Sequence, residues 1–321
     1  MKSKLAILSL IVLAGITAAC SSKPAAGPTN AAGGDAGNKP AQEIKTTDTY
    51  PNAQLLADVK WVEEHAKDAN VKIIDARSKG YEQGHIPGAV SVNAGLLKDS
   101  KNNTIISKEA FTELFQKAGI NSDSTVLVYD EGGAGNSATR IFYGLEYYGL
   151  KDKVKVLNGG FLAWTNAGKE VSTDTPTVAK GNFTAQPNDK LITTKAQLLS
   201  ANLAQCTVVD TRSAKEYTGE DLRGNKNGGH VSGAINAEWS EAIDQNPSDG
   251  VPKFKSYKDL TALYTKAGIT DKEKTVIPYC QTNIRGAHTY FTLRLLGFKD
   301  VRPYEGSMAE WANSDDAPLV K

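Results

Sequence analysis

The chain contains the segment Val71-Lys-Ile-Ile-Asp75-Ala-Arg77-Ser78 and repeats it, with changes, as Thr207-Val-Val-Asp210-Thr-Arg212-Ser213. Further segments recur in the same order in both parts of the chain, so chance is a poor explanation. The recurring pairs are 84–93 with 229–236, 117–120 with 266–269, 126–130 with 276–280, and 158–164 with 305–311. The repeated unit is far longer than a solenoid repeat and occurs only twice, so the sequence predicts a duplicated domain.

Each copy alternates short apolar runs with longer amphipathic stretches. The continuous, β-branched runs that predict buried strands are 71–75, 125–129 and 153–157. The amphipathic stretches that predict helices are 53–67, 108–118 and 137–148. This alternation predicts an α/β fold of two tandem domains, each a mainly parallel sheet flanked by helices. We place the domains at 50–175 and 188–321, with the join near 172–190, where polar residues gather and the periodicity lapses.

Composition and charge exclude several classes of protein. The chain has 321 residues, with 37 basic against 36 acidic side chains and a net charge of +1, so no bulk charge attracts it to nucleic acid. Three cysteines are too few for a disulfide-built scaffold. Four scattered histidines, with no CxxC or HExxH motif, argue against a zinc site. No metal or other cofactor is therefore expected.

The first residues have the pattern of a secretory signal. Lys2 and Lys4 precede an apolar run at 5–16, and small residues follow it. The apolar run is about a dozen residues, shorter than the roughly 20 needed to span a bilayer. We therefore predict that residues 1–19 are a signal peptide and that the protein is exported.

Small residues placed directly before Cys20 resemble the lipobox of bacterial lipoproteins. That resemblance implies a lipidated Cys20 as the first mature residue, and an extracytoplasmic protein anchored to a bacterial membrane. The alternative is an ordinary signal peptide in which Cys20 is incidental. Residues 20–49 have almost no large apolar side chains, so they predict a flexible linker.

A glycine-rich turn in the first copy matches the dinucleotide-binding pattern G-x-G-x-x-A, as Gly133-Ala-Gly135-Asn-Ser-Ala138. Asp130 and Glu131 would place negative charge where a pyrophosphate binds. The next predicted strand is followed by Asn158 rather than by an acidic residue that could hold a ribose. These features favour a tight strand-to-helix turn over a dinucleotide site.

The matching turn in the second copy carries a candidate nucleophile. A predicted strand at 275–279 runs into Cys280-Gln-Thr-Asn-Ile-Arg285, and a predicted helix extends to about residue 296. Ligands of open α/β sheets bind beyond the carboxyl ends of the strands. Backbone amides of the turn, the helix N-terminus and Arg285 all favour a thiolate on Cys280. The alternative is a buried, inert cysteine.

The duplication indicates which copy reacts. Asp130 occupies the position in the first copy that Cys280 occupies in the second. A carboxylate cannot accept or pass on a sulfur atom, so only the second copy is expected to be catalytic. Cys206 lies just before a strand predicted at 207–209 and is expected to have a packing role. His85 and His230 begin the same turn motif in each copy and are expected to structure that turn.

Together these segments resemble the tandem-domain members of the rhodanese family of sulfurtransferases, over residues 50 to 321. The resemblance rests on Asp-x-Arg, Gly-His-[Ile/Val]-x-Gly-Ala, the strand–Cys-loop–helix and the closing Gly-Ser-x-x-x-Trp. It implies an inactive first domain, a catalytic second domain, an active site in the cleft between them and a persulfide on Cys280. The loop differs from Cys-Arg-Lys-Gly-Val-Thr of many thiosulfate-type members and from Cys-Gly-Ser-Gly-Val-Thr of mercaptopyruvate-type members, which leaves the donor open.

The resemblance implies transfer of a sulfane sulfur from thiosulfate, or alternatively 3-mercaptopyruvate, to cyanide or a thiol. The residues expected to bind the donor or the persulfide are Arg285, Gln281, Thr282, Asn283, Ile284, Gly286 and Arg212. For Arg212 an internal ion pair with Asp210 is the alternative. Arg140 matches an arginine on the first-domain helix of tandem members and is expected to be structural.

Two rival functions remain. A phosphatase would have five residues between cysteine and arginine, whereas only four separate Cys280 from Arg285. A non-catalytic extracytoplasmic binding lipoprotein with a decayed rhodanese fold is the second rival. The expected partners are a small anionic sulfur donor, a thiol or cyanide acceptor and, through the lipid, a membrane. Nucleic acid is not among them, and the protein is expected to be a monomer.

Overall fold

The computed structural model describes residues 49–132 and 135–321. The predicted signal 1–19 and Cys20 lie outside the described residues, as does almost all of the predicted linker 20–49. Gly133 of the glycine-rich turn is also outside them. Within the described part of the chain, no helix is both long and apolar enough to cross a membrane.

Five parallel strands form the sheet of the first half, in the order β1-β5-β4-β2-β3. The strands are β1 (Leu56–Ala57), β2 (Val71–Asp75), β3 (Val90–Ser91), β4 (Thr125–Tyr129) and β5 (Val154–Leu157). The central strands β2 and β4 pair along their whole length and are almost entirely buried. Burial on both faces is why their sequences are continuous apolar runs rather than alternating ones.

Four α-helices cover this sheet. They are α1 (Val59–His65), α2 (Lys108–Lys117), α3 (Asn136–Leu145) and α4 (Gly160–Asn166). The prediction of one helix over 53–67 was wrong, because Leu56 and Ala57 pair with β5 and extend the sheet edge. α1 begins only after Asp58, whose carboxylate accepts the N–H of Trp61 and caps the helix.

The second half repeats the strand order of the first with its edges shortened. Strands β6 (Cys206–Asp210), β8 (Ile235–Asn236) and β11 (Thr275–Tyr279) form a parallel sheet in the order β11-β6-β8. Single parallel bridges from Val276 to Val301 and from Thr193 to Tyr304 stand in place of the other two strands. The remaining short strands are β7 (His230–Val231), β9 (Ile243–Asp244), β10 (Lys253–Phe254) and β12 (Leu319–Val320).

Helices of the second half include α8, which starts directly after the Cys280 turn. The helices are α5 (Lys195–Leu199), α6 (Ala214–Thr218), α7 (Tyr257–Lys266), α8 (Ile284–Leu295) and α9 (Ser307–Trp311). α3 and α8 pack against each other, with Phe142 edge-on to Phe291 and Tyr143 edge-on to Tyr290. The two halves thus share one hydrophobic core. The predicted duplicated α/β fold with mainly parallel sheets is confirmed.

Candidate active site

Cys280 lies at the carboxyl end of β11 and is only 1% exposed. Its backbone N–H donates to Ser307 Oγ (3.3 Å), and its carbonyl accepts the N–H of Met308 (3.0 Å). Ser307 has a positive φ of 49° and donates from Oγ to the carbonyl of Tyr304 (2.9 Å). The Gly-Ser motif near the chain end therefore fixes the backbone that carries the thiol.

The turn after Cys280 presents backbone amides without protein acceptors. Within the described residues, the N–H groups of 281–286 form no hydrogen bond to the protein, as expected for the first turn of a helix. Asn283 precedes α8 with a φ of 56°, in the left-handed region. These amides and the α8 N-terminus carry partial positive charge next to the thiol.

The side chains of the turn differ in whether they are hydrogen-bonded within the protein or exposed to solvent. Gln281 exchanges two hydrogen bonds with the carboxamide of Asn225 (2.9 and 3.1 Å), so its side chain is held within the protein. Ile284 is 37% exposed. Thr282 is half-buried and Gly286 is buried in the first turn of α8.

The corresponding turn of the first half is filled by its own side chain. The carboxylate of Asp130 accepts the N–H groups of Gly132 (3.3 Å), Ser137 (3.1 Å) and Ala138 (3.1 Å). Burial raises the pKa of Asp130, although these hydrogen bonds oppose the rise. The position that takes an anion in such a turn is thus occupied by an internal carboxylate, and no nucleophile stands there.

Arg285 forms a two-pronged ion pair with Glu216. Its Nη1 donates to Oε2 (2.6 Å) and its Nη2 to Oε1 (2.9 Å). Burial lowers the pKa of Arg285. Hydrogen bonding to Glu216 and the charge of a Cys280 thiolate raise the pKa by more than burial lowers it, so the net shift is upward. Burial raises the pKa of Glu216, and Arg285 more than reverses that effect, so that its pKa is lowered.

Sequence reasoning did not identify Glu216. One signal was available, because Ser213 and Glu216 form a capping box at the start of α6. That signal places the glutamate in the first turn of a helix, but it does not show that Arg285, 69 residues later, is its partner.

Arg212, predicted either to bind the donor or to form an internal ion pair with Asp210, forms the ion pair. Its guanidinium is bound by the carboxylate of Asp210 (Nε–Oδ1 2.9 Å, Nη2–Oδ2 2.6 Å) and donates to the Gly229 carbonyl (2.8 Å). Arg212 is 2% exposed. Arg77 makes the same contacts with Asp75 and with a glycine carbonyl in the first half, which has no cysteine. The arrangement therefore serves the fold, as the ion-pair alternative predicted.

The predicted roles of the paired histidines and of Cys206 were confirmed. The ring of His85 stacks on Tyr81 and its Nδ1 lies 2.8 Å from the Tyr81 carbonyl. His230 makes the same two contacts with Tyr217. Cys206 is buried in β6 with a free thiol, and burial raises its pKa. Among the described residues, no cluster of three or more His, Cys, Asp or Glu side chains could hold a metal ion.

A second ion pair reaches the turn from the other half; sequence reasoning expected its Arg140 to be structural and did not identify the partner, Glu305. Arg140 of α3 forms a buried ion pair with Glu305, and Glu305 in turn accepts the side-chain N–H of Asn283. Arg140 and Glu305 are 165 residues apart in the chain. A partnership between the two halves leaves no local pattern in the sequence.

Comparison with known proteins gives consistent similarities. The family model for the rhodanese-like domain matches residues 58–167 and 195–314. The chain is 34% identical over 290 residues to the sulfur carrier protein TtuD of Thermus thermophilus, covering 85% of this chain and 98% of that protein. It is 31% identical over 295 residues to a thiosulfate sulfurtransferase of Corynebacterium glutamicum, covering 87% and 95%. The solved structure of the 3-mercaptopyruvate sulfotransferase SseA from Escherichia coli aligns with a TM-score of 0.70 and 26% identity, covering 79% of this chain and 98% of that one.

Proposed function

The chain belongs to the rhodanese family, and on that premise we propose that it is a sulfurtransferase in which Cys280 carries the transferred sulfur as a persulfide. The observation that carries the proposal is the contrast between the two halves. The second has a free thiol beside amides that have no protein acceptor. The first has Asp130 filling the equivalent turn.

In the first step the Cys280 thiolate attacks the outer sulfur of thiosulfate. A new S–S bond forms at Cys280, the S–S bond of thiosulfate breaks, and sulfite leaves with the bonding electron pair. With 3-mercaptopyruvate the C–S bond breaks instead, and the thiol proton of the donor ends on the methyl carbon of pyruvate. Neither route needs an oxidant or a reductant.

In the second step an acceptor removes the sulfur. Cyanide or a thiolate attacks the outer sulfur of the persulfide, and Cys280 leaves as a thiolate. Dividing the transfer into two displacements is covalent catalysis and predicts ping-pong kinetics.

The turn supplies the stabilisation that this chemistry needs. We propose that the backbone N–H groups of residues 281–286 stabilise the negative charge on the outer sulfur of the persulfide, as an oxyanion hole does for a developing oxyanion. The Thr282 hydroxyl provides a further donor. Arg285, held by Glu216, keeps positive charge next to Cys280. Burial of Cys280 excludes water from the anionic persulfide.

Intact-mass measurement tests this function. The protein is incubated with thiosulfate and, separately, with 3-mercaptopyruvate, and one sulfur atom should add about 32 Da. Cys280→Ser is expected to abolish the gain, and Cys206→Ser serves as the matched control that retains it. The donor that loads the protein at the lower concentration is the preferred one. No adduct from either donor would overturn the transferase proposal and favour the non-catalytic binding lipoprotein.

We also propose that the protein is exported and anchored to a membrane by lipid on Cys20. The support is the basic start, the short apolar run and the small residues before the cysteine. Labelling of cells with a radioactive fatty acid should mark the wild-type protein and not Cys20→Ser. Label on the Cys20→Ser variant, or none on the wild type, would contradict the anchor.

A further inference from the structure

Two buried arginine–carboxylate pairs join the halves, one near each end of α8. Near its start, Arg140 of α3 binds Glu305, and the two side chains are 3% and 2% exposed. Near its end, Arg294 of α8 binds Glu146, and these side chains are 8% and 0% exposed. The pairs resemble each other in chemistry and burial. They differ in what else the carboxylate holds.

Glu305 connects Arg140 to the turn that carries Cys280. Arg140 Nη2 donates to Glu305 Oε1 (2.5 Å) and Nη1 donates to Oε2 (3.0 Å). The same Oε2 accepts the Nδ2 hydrogen of Asn283 (2.5 Å). A continuous chain of charge-assisted hydrogen bonds therefore runs from the first half to the turn between Cys280 and α8.

Asn283 is the residue whose conformation shapes that turn. Its φ of 56° is one that side chains other than glycine adopt at a cost, so the turn needs contacts that hold it. Glu305 holds one side of the carboxamide. On the other side a Cβ at position 286 would lie only 2.3 Å from Asn283 Oδ1, so the absence of a side chain at Gly286 makes room for the carboxamide.

The charges of Glu305 and of the thiol both act on Arg140. Burial lowers the pKa of Arg140, but the charge of Glu305, with a smaller contribution from a Cys280 thiolate, raises it above its ordinary value. Without Arg140, the carboxylate of Glu305 would be buried, unpaired and close to a second negative charge on the persulfide. A lost partner of a buried ion pair is a large perturbation.

We propose that the first half is a working part of the catalytic site, and that Arg140 is its positioning residue, acting through Glu305 on Asn283 to hold the turn around Cys280. This proposal rests on Cys280 being the residue that takes up sulfur. The first half carries Asp130 in place of a cysteine, and the proposal assigns this half a function in the reaction.

The test measures the rate of sulfur uptake at saturating thiosulfate, per folded molecule. Arg140→Met should slow uptake on the order of 10- to 100-fold, because a misplaced turn loses its alignment with the donor. The thiosulfate concentration for half-maximal rate should change less. Arg140→Met/Glu305→Gln should recover much of the rate, because the new amide oxygen still accepts from Asn283 and the unpaired charge is gone.

The second ion pair provides the matched control. Arg294→Met/Glu146→Gln removes a buried pair between the same halves, ten residues along α8 from the turn, which is about 15 Å. It should lower the melting temperature and leave the uptake rate unchanged. If Arg140→Met fails to fold, Arg140→Lys replaces it, since lysine keeps the charge without the two-pronged geometry. Its uptake should also be slowed.

The outcomes separate the two proposals. Uptake by the wild type with an unchanged rate in every folded Arg140 variant would overturn the positioning role and leave the proposed function standing. Equal slowing in the Arg294→Met/Glu146→Gln control would also overturn it, since the effect would then be general loosening. No uptake by the wild type would instead overturn the function of Cys280.

Discussion

Three arginines of the second half and of α3, at the carboxyl ends of strands or on the helices that follow them, each have a carboxylate partner of their own. The pairs are Arg285 with Glu216, Arg212 with Asp210, and Arg140 with Glu305. An arginine bound to a carboxylate attracts a further anion less strongly than a free one. At the scale of single residues, we therefore propose that the turn amides are the main anion-binding groups and that Glu216 sets how strongly Arg285 attracts a donor.

Glu216→Gln should strengthen binding of the doubly charged thiosulfate. The variant keeps an acceptor for Arg285 and removes the opposing charge, so half-maximal uptake should need about 3- to 10-fold less thiosulfate. The gain should shrink at high salt, which screens charge. Steady-state kinetics at two ionic strengths measure both effects. Glu220→Gln, an exposed neighbour, is the control. An unchanged or higher thiosulfate requirement would contradict this assignment.

The same residue predicts a dependence of stability on pH. Arg285 holds the pKa of Glu216 below its ordinary value of about 4.3, so the pair stabilises the folded state above that pH. The contribution is lost as the pH falls through the lowered pKa. Urea unfolding should therefore show the wild type more stable than Glu216→Gln at pH 7, with the difference shrinking as the pH falls below about 4.3. A difference that persists in acid would exclude this origin.

At the scale of elements, the join of β11 to α8 forms the site. α8 begins three residues after Gln281, and its first turn packs so closely on Asn283 that only glycine fits at position 286. The turn is thus one unit with the helix, and a change in the first turn of α8 is transmitted to the residues around Cys280.

Gly286→Ala tests that coupling. The added methyl would meet Asn283 Oδ1, and relieving the contact should cost about 1–3 kcal/mol of stability and at least about 10-fold in uptake rate. Gly250→Ala is the control, because it strains a positive φ but meets no atom within 4 Å. It should reduce stability alone. Normal uptake by folded Gly286→Ala would show that the turn tolerates the displacement.

The elements that could be predicted are those specified locally. β2, β4 and β11 match their predicted bounds because each is a continuous apolar run between polar residues. The helix over 53–67 failed because pairing of Leu56 with Val156 across the sheet overrides the local pattern. The Cys280 turn was visible as a strand end followed by a helix start. The roles of Glu216 and Glu305 could not be predicted, since their arginine partners are 69 and 165 residues away in the chain.

At the scale of the whole molecule, both halves have the same fold, but only the second half carries the cysteine proposed to react. Both halves have the same Asp–Arg–Tyr network, with Tyr129 donating to Asp75 and Tyr279 donating to Asp210. The difference lies in the turn. The second residue of α8 is Arg285, whereas the second residue of α3 is Ser137. A cysteine alone should therefore not make the first half reactive.

The variant Asp130→Cys/Cys280→Ser moves the thiol into the first half. It should take up sulfur from thiosulfate at least about 100-fold more slowly than the wild type, since Ser137 stands at the helix position that Arg285 occupies in the second half. Intact mass over time measures the rate, and Cys280→Ser alone gives the background. Uptake at the wild-type rate would show that the fold and a thiol suffice.

The central claim is that sulfur resides on Cys280 between donor and acceptor. The most direct measurement treats the protein with thiosulfate, blocks it with an alkylating agent and locates the extra sulfur by peptide mass spectrometry. One additional sulfur is expected on the peptide with Cys280 and none on the peptide with Cys206, and cyanide added before blocking should remove it as thiocyanate. Sulfur on Cys206, or on neither peptide, would contradict the account.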